Sequence, residues 1–326
     1  MTGLLLEVRD LRVEFPARRG TLRALDGVTF DIAAGEILGI VGESGAGKSL
    51  TGAAVIGLIE PPGRVSGGQV LLESQRIDNL PREAMRLVRG RRIGAIFQDP
   101  LTSLNPLHTI GHQLVETVRT HLPLSAAQAR ERAIELLRQA GMPAPQTRLA
   151  QYPHQFSGGM RQRVVIALAL AGEPRLIVAD EPTTALDVAA QAQIIRLLRG
   201  LAQARAVSVM LITHDMGVIA ETCDRVAVMY AGRIVEIGPV DEVIHRPAHP
   251  YTAGLMASVP TLDGDARRLA QIAGALPELD AIPPGCAFHP RCPKASPRCA
   301  AERPELALVR RTRAACWWPI VEGGTA

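Results

Sequence analysis

Eight residues, Gly42-Glu43-Ser44-Gly45-Ala46-Gly47-Lys48-Ser49, constrain this chain more than any other stretch. They follow the spacing G-x-x-x-x-G-K-[ST], a loop whose backbone cradles phosphate. Its three glycines let the chain wrap tightly enough to turn several N–H groups onto one anion. A helix opening at the end of the loop adds further N–H groups and a partial positive charge. Lys48 then reaches the β- and γ-phosphates of a nucleotide, and the Ser49 hydroxyl ligates Mg²⁺. The flanks agree with this. Glu36-Ile37-Leu38-Gly39-Ile40-Val41 reads as a short apolar strand, and a helical stretch runs to about Ile59, stopped by Pro61-Pro62-Gly63.

The rest of the chain is long enough to surround such a loop with a large core. It has 326 residues, 47% of them hydrophobic and 21% charged, the balance of a globular protein rather than a disordered one. The net charge of +4 is spread over interspersed acids and bases, too diluted to argue for a nucleic-acid partner. The longest apolar run, Val164 to Gly172, is far short of the roughly twenty residues that span a bilayer. The N-terminus carries no charged segment followed by a long apolar core, so no signal peptide is expected. The expected compartment is the cytosol, where the five cysteines stay reduced.

Taken in order, 4–9 and 11–15 read as strand, as does Ala24 to Ile32, with Val70-Leu71-Leu72 closing a small antiparallel sheet. Arg91 to Phe97 is a further strand, ending at Gln98. From about 107 to 157 the pattern turns helical. Ser125-Ala126-Ala127-Gln128 is a capping-box start, Ala129, Ala133, Ile134, Leu137 and Ala140 mark one face, and Gly141 is placed to stop the helix. A helix follows Ser157-Gly158-Gly159, and the apolar strand Leu176 to Ala179 ends in Asp180-Glu181. Asp187 caps a helix to about Ala204. Val207 to Thr213 is a buried strand ending at His214, and Ala231-Gly232-Arg233 turns a hairpin. The expected fold is α/β, a largely parallel sheet with right-handed crossovers, an antiparallel β subdomain and a helical insert at about 107–157. Prolines become dense after about 245, where a small loop-rich C-terminal domain at 251–326 is expected to follow a domain at 1–250.

Asp180 after four apolar residues is suited to hold Mg²⁺ through water, opposite Ser49, and Glu181 to polarise an attacking water as general base. With Gln98 and Ser157-Gly158-Gly159-Met160-Arg161-Gln162 upstream of that pair and His214 downstream, residues 1 to about 250 resemble the ATP-binding subunit of ABC transporters, a P-loop nucleotide hydrolase. The family's signature usually reads Leu-Ser-Gly-Gly-Gln. Here Phe156 and Met160 depart from it, and the Ser-Gly-Gly core is intact. The resemblance implies two such subunits stacked head to tail, each ATP lying between one phosphate loop and the partner's signature loop. It assigns ATP contacts to Gly42 through Leu50, stacking on adenine to Phe15, and the partner's γ-phosphate to Ser157, Gly158 and Gly159. Glu181 is then the base, His214 touches the γ-phosphate and orients water, and Gln98 senses Mg²⁺ and the water. Asp187, in Thr184-Ala185-Leu186-Asp187, belongs to a loop crossing the dimer interface. The stretch after Gln98, with the helical insert, is where the family grips its membrane subunits.

His249-Pro250-Tyr251-Thr252 and Pro284-Gly285-Cys286-Ala287-Phe288-His289-Pro290-Arg291-Cys292-Pro293 resemble the extension of oligopeptide/dipeptide-type transporter ATPases. That implies an ATP-hydrolysing importer motor at the cytoplasmic face of the inner membrane. Its partners would be a second, different ATPase chain, two permease subunits and, through them, an extracytoplasmic binding protein. Relatives with similar tails handle nickel or glutathione, and a cytosolic ABC ATPase without transport is the other reading. Within the extension, Cys286, Cys292, Cys299 and Cys316 form a four-thiol set without the C-x2-C pairs common in zinc sites. The resemblance points to a [4Fe–4S] cluster. Zinc, and free thiols or disulfides, are the alternatives, and His289 reads as a loop histidine with an extra ligand as its other reading. Cys223 reads as a core residue.

Overall fold

The computed structural model describes residues 3–18, 20–184, 186–205, 207–258 and 271–321. Its strands are β1 (Leu4–Ala17), β2 (Gly20–Ala33), β3 (Ile37–Val41), β4 (Arg64–Leu72), β5 (Gln75–Arg76), β6 (Ile93–Ile96), β7 (Leu176–Asp180), β8 (Ser208–Ile212), β9 (Arg225–Tyr230), β10 (Arg233–Pro239), β11 (Ala307–Val309) and β12 (Thr312–Ala314). Its helices are α1 (Lys48–Val55), α2 (Arg82–Val88), α3 (Ile110–His121), α4 (Ala126–Gln139), α5 (Pro145–Arg148), α6 (Gly158–Ala169), α7 (Val188–Arg205), α8 (Met216–Thr222), α9 (Val240–His245), α10 (Pro250–Ala257) and α11 (Pro297–Ala301). The chain divides into two compact units that interleave in sequence. One comprises Met1–Leu5, Ile32–Ile37 and Asn79–Leu211, the other Leu6–Asp31, Leu38–Asp78 and Ile212–Ala326.

In the first unit β6 and β7 pair in parallel, Ile93 opposite Leu176 through Ile96 opposite Ala179. Leu176 to Ala179 are all buried, the continuous apolar run that a strand covered on both faces requires. The expected helical insert is α3, α4 and α5. Ser125 accepts from the Gln128 N–H at 3.3 Å while Gln128 reaches back to the Ser125 N–H at 2.9 Å, so the capping box forms as its sequence predicts. Ala129, Ala133, Ile134, Leu137 and Ala140 are all buried, and Gly141 ends the helix at φ 70°.

In the second unit β1 runs antiparallel to β4. The two short strands expected at 4–9 and 11–15 are one strand of 14 residues. Its register shifts between Arg9 and Arg12, and Asp10 takes φ 50°. That bulge has a reason. Leu6, Val8, Leu11 and Val13 are fully buried, and the step of three from Val8 to Leu11 breaks a period of two. One extra residue restores the same inward face.

Also in the second unit, β3 pairs with β9 in parallel and β9 with β10 antiparallel. Ala231 and Gly232 join the latter pair with φ 46° and 75°, the two positive values that a tight hairpin turn demands. α1 stops at Val55, short of the expected Ile59. Gly57 takes φ 67°, its N–H donates to the Ala54 carbonyl at 3.1 Å, and the Leu58 N–H reaches the Ala53 carbonyl at 2.8 Å. The helix is therefore closed by a glycine cap before the prolines act.

The residues after 250 fall in the same compact unit as the phosphate loop. They add β12 to the free edge of β10, Glu236 opposite Ala314, and β11 pairs with β12. Tyr230, Tyr251 and Phe288 pack there, with ring centroids 4.7 to 5.3 Å apart. Among the described residues no helix is long and apolar enough to cross a membrane.

Candidate nucleotide site

In the second unit the loop from Gly42 to Ser49 leaves the end of β3 and enters α1. Two glycines make that path possible. A side chain at Gly42 would place its Cβ 2.2 Å from the Met229 carbonyl oxygen, and Gly47 caps α1 in the left-handed region at φ 100°. Lys48 is 6% exposed, and its Nζ donates to the carbonyls of Gly42 at 2.9 Å and Glu43 at 3.0 Å. The ammonium thus crosses its own loop, placing a buried positive charge where the backbone already gathers N–H groups. Residues outside the motif brace the loop. The Glu43 N–H donates to the Tyr251 hydroxyl at 2.9 Å, and Arg291 grips the Glu43 carboxylate with two hydrogen bonds of 2.7 and 2.9 Å. Neither brace is visible in the sequence, because 208 and 248 residues separate the partners.

His214 follows β8 on an exposed bend, and Asp215 beside it caps α8 by accepting from the Gly217 N–H at 2.8 Å. Phe15 lies half-buried on β1, its ring edge so close to Gly63 that a Cβ there would sit 2.5 Å away.

The first unit carries the carboxylates. Asp180 is the last residue of β7, and Glu181 then turns through φ 45°. This left-handed step in a residue with a side chain aims the second carboxylate away from the strand direction. Gln98 Nε2 donates to Glu181 Oε2 at 3.2 Å, and the Thr184 hydroxyl donates to the same oxygen at 2.8 Å. Gln98 and Glu181, expected to serve one site, do meet. Thr184 is a partner that sequence reasoning passed over, although it sits in the quoted Thr184-Ala185-Leu186-Asp187 string. Ala185 lies outside the described residues.

Ser157 caps α6 by accepting from the Met160 N–H at 3.4 Å. Ser157, Gly158, Gly159 and Asp187 together line one open cavity of about 520 Å³ in this unit. Asp187 also caps α7, accepting from the Ala190 N–H at 2.8 Å, as its position predicts. The unit thus presents a helix N-terminus with a serine hydroxyl, the parts of an anion site.

The sequence model described as "ABC transporter" matches residues 25–184, and that described as "Oligopeptide/dipeptide transporter, C-terminal region" matches 235–299. The probable peptide ABC transporter ATP-binding protein y4tR of Sinorhizobium fredii is 49% identical over 317 residues, which cover 97% of this chain and 95% of that one. The chain belongs to the ATP-binding family of ABC transporters.

Another member, the dipeptide transport ATP-binding protein DppD of Escherichia coli, is 44% identical over 321 residues, 98% of both chains. The cassette MJ0796, solved as a dimer in a post-hydrolysis state with ADP and Pi, matches at TM-score 0.66 and 28% identity, over 72% of this chain and 99% of that one. The P-loop fold, the α/β class and the ATP-binding role expected from the sequence hold on these grounds. The His249-Pro250-Tyr251-Thr252 string also gains a physical meaning in this ATP-binding chain. His249 Nδ1 accepts the Tyr251 N–H at 3.0 Å, capping α10 and aiming Tyr251 at the phosphate loop.

The C-terminal thiols fare differently. Cys286, Cys292, Cys299 and Cys316 line one cavity, with His289 at its wall, but its free volume is about 10 Å³. Among the described residues no group of three or more His, Cys, Asp or Glu side chains is arranged to hold a metal ion. Burial raises the thiols of Cys286 and Cys292 and pushes Cys316 up to about 11. The expected [4Fe–4S] cluster, and zinc as its alternative, are therefore not supported by the side-chain geometry. None of the five cysteines is joined in a disulfide. Cys223 is half-buried rather than buried, packed against the Val226 and Ile219 core.

Proposed function

We propose that this chain is the ATP-hydrolysing motor of an importer for peptides, working as a head-to-tail pair of ATPase subunits on two membrane permease subunits fed by an extracytoplasmic binding protein. The full-length likeness to chains named for peptide and dipeptide transport supports the cargo. The observation that carries the motor reading is the Glu181 carboxylate held by Gln98 and Thr184. In this reading the loop from Gly42 to Leu50 holds the triphosphate and Phe15 stacks on adenine. Ser49, Asp180 and Gln98 serve Mg²⁺, which draws charge from the phosphates when bound. Glu181 takes the proton of a water as its oxygen attacks the γ-phosphorus; the bond to ADP breaks and phosphate leaves. His214 orients that water. Ser157, Gly158, Gly159 and Asp187 serve the nucleotide of the partner subunit. A cavity of about 370 Å³ lined by Phe97, Thr102, Ser103, Val165 and Leu168 in the first unit supports permease docking near the Gln98 segment. That docking puts the chain at the cytoplasmic face of the inner membrane.

The test compares wild type with Glu181→Gln in ATP turnover and nucleotide binding. A loss of roughly 10²-fold or more in turnover with binding retained is expected, because a general base contributes about 10²–10⁴-fold. Equal turnover removes Glu181 as the base. Transport of labelled dipeptide, glutathione and Ni²⁺ by the reconstituted complex separates the cargoes. For the four thiols, a metal group rests on the sequence resemblance alone. Iron, sulfide and zinc analysis of anaerobically purified protein tests it, and a colourless, metal-free, fully active sample discards it.

A further inference from the structure

Glu43 is out of place in a loop that holds an anion. Its carboxylate adds negative charge at the second position of the phosphate loop, where a triphosphate is to bind. Arg291, from the C-terminal region, answers that charge. Its Nη1 and Nη2 donate to the two carboxylate oxygens of Glu43 at 2.7 and 2.9 Å, the bidentate geometry that suits guanidinium and carboxylate. The arginine has no freedom to leave. Its side chain is 6% exposed, its Nε donates to the Ala273 carbonyl at 2.8 Å, and its Cζ lies 5.8 and 5.9 Å from the ring centroids of Tyr230 and Phe288. On the other side of Glu43, its carbonyl accepts from Lys48 and its N–H is held by Tyr251. A continuous set of contacts thus runs from Arg291 through Glu43 to the phosphate-binding lysine.

We propose that Arg291 is a positioning residue for nucleotide binding: it neutralises the Glu43 carboxylate and fixes the loop that Lys48 crosses, so that the C-terminal region sets the loop's affinity for nucleotide. The inference rests on the nucleotide reading of that loop. Charge and mere bracing predict different outcomes. If Arg291 acts by neutralising Glu43, removing both charges restores what removing one destroys. If it acts only as packing, the double variant stays defective.

The experiment measures binding of a fluorescent ATP analogue with Mg²⁺, and KM and kcat for ATP, in the full-length chain. Arg291→Met is expected to weaken binding about tenfold, the scale of one uncompensated like charge a loop's width away. KM rises in step while kcat stays within about twofold. Arg291→Met with Glu43→Gln is expected to recover to within about threefold of wild type, a coupling that independent sites do not show. Glu43→Gln alone, which leaves the Arg291 charge uncompensated beside the anion, is expected to bind more tightly than wild type. Wild-type binding by Arg291→Met, or a double variant as weak as Arg291→Met, overturns the proposal. Should Arg291→Met fail to fold, Glu43→Gln decides alone, and a Kd there no tighter than wild type overturns it. A wild-type chain that binds no nucleotide, or a Lys48→Ala variant that binds normally, sinks the nucleotide reading itself.

Discussion

Acidification should destabilise the unit that holds the phosphate loop, through one histidine. His249 is 1% exposed, and burial drives its pKa from 6.5 down to about 4. Its neutral Nδ1 accepts the Tyr251 N–H that starts α10. Protonation removes that acceptor and buries a charge. The unfolded chain takes up the proton near pH 6.5 and the folded chain only near pH 4, so between these values the unfolded state binds more protons. Stability is then full above about pH 6.5 and falls with pH toward 4. Between pH 7 and 5 the loss comes to about 2 kcal/mol. Glu236 accepts from the Ala248 and His249 N–H groups and has a pKa raised by burial. It acts in the opposite sense, its contribution being lost as pH rises. The assay is urea unfolding followed by tryptophan fluorescence. Trp317 and Trp318 are the only two tryptophans, and both lie in this unit. His249→Asn keeps an oxygen acceptor for the cap and cannot titrate. It is expected to be less stable at pH 7, through lost packing, but to lose about 2 kcal/mol less than wild type on going to pH 5. Equal losses in the two proteins refute the reasoning.

Gly42→Ala forces a Cβ to within 2.2 Å of the Met229 carbonyl oxygen, so the loop must shift. A loss of about 2–3 kcal/mol in the same fluorescence assay, with nucleotide binding gone, is expected, and a wild-type Kd refutes it. Ser125→Ala removes the side-chain acceptor of the Gln128 N–H, at a cost of about 1 kcal/mol to α4. Hydrogen exchange should quicken at the first turn of α4 and not in α6; a uniform change speaks against a local cap.

How much of this was legible in the sequence depends on how far apart the partners lie. The phosphate loop, the capping box at Ser125, the cap at Asp187 and the hairpin at Ala231-Gly232 are local, set by residues within a few positions of one another. They appear in the structure as the sequence predicts. The break read at Asp10 was local too, but its meaning was not. Only pairing with β4 tells a bulge from the end of a strand. The C-terminal region was the least legible. β11 and β12 are three residues each, too short to show alternation, and they exist because β10 offers an edge. Four thiols with suggestive spacing converge on one cavity, yet spacing carries no information on the distance between sulfur atoms or on the room between them, here about 10 Å³.

The left-handed residues separate positions shaped by folding from positions shaped by chemistry. Ala231 at φ 46° sits in a two-residue turn, where backbone twist alone demands the value, and glycine would serve there. Glu181 at φ 45° has no such excuse. It follows a buried parallel strand that an ordinary extended residue would have continued, and a carboxylate in that backbone region costs on the order of 1 kcal/mol or more. The surroundings hold it there with two hydrogen bonds to one oxygen, from Gln98 and Thr184. Strain maintained at that cost, outside a turn that would demand it, has a reason beyond folding. It turns one carboxylate off the line of its neighbour Asp180, as the proposed roles of the two acids require, Asp180 toward Mg²⁺ and Glu181 toward water. The same backbone step is therefore a constraint on Glu181→Gln. The amide keeps the shape and one acceptor oxygen, so a loss of turnover in that variant reports on the missing charge and not on a relaxed turn.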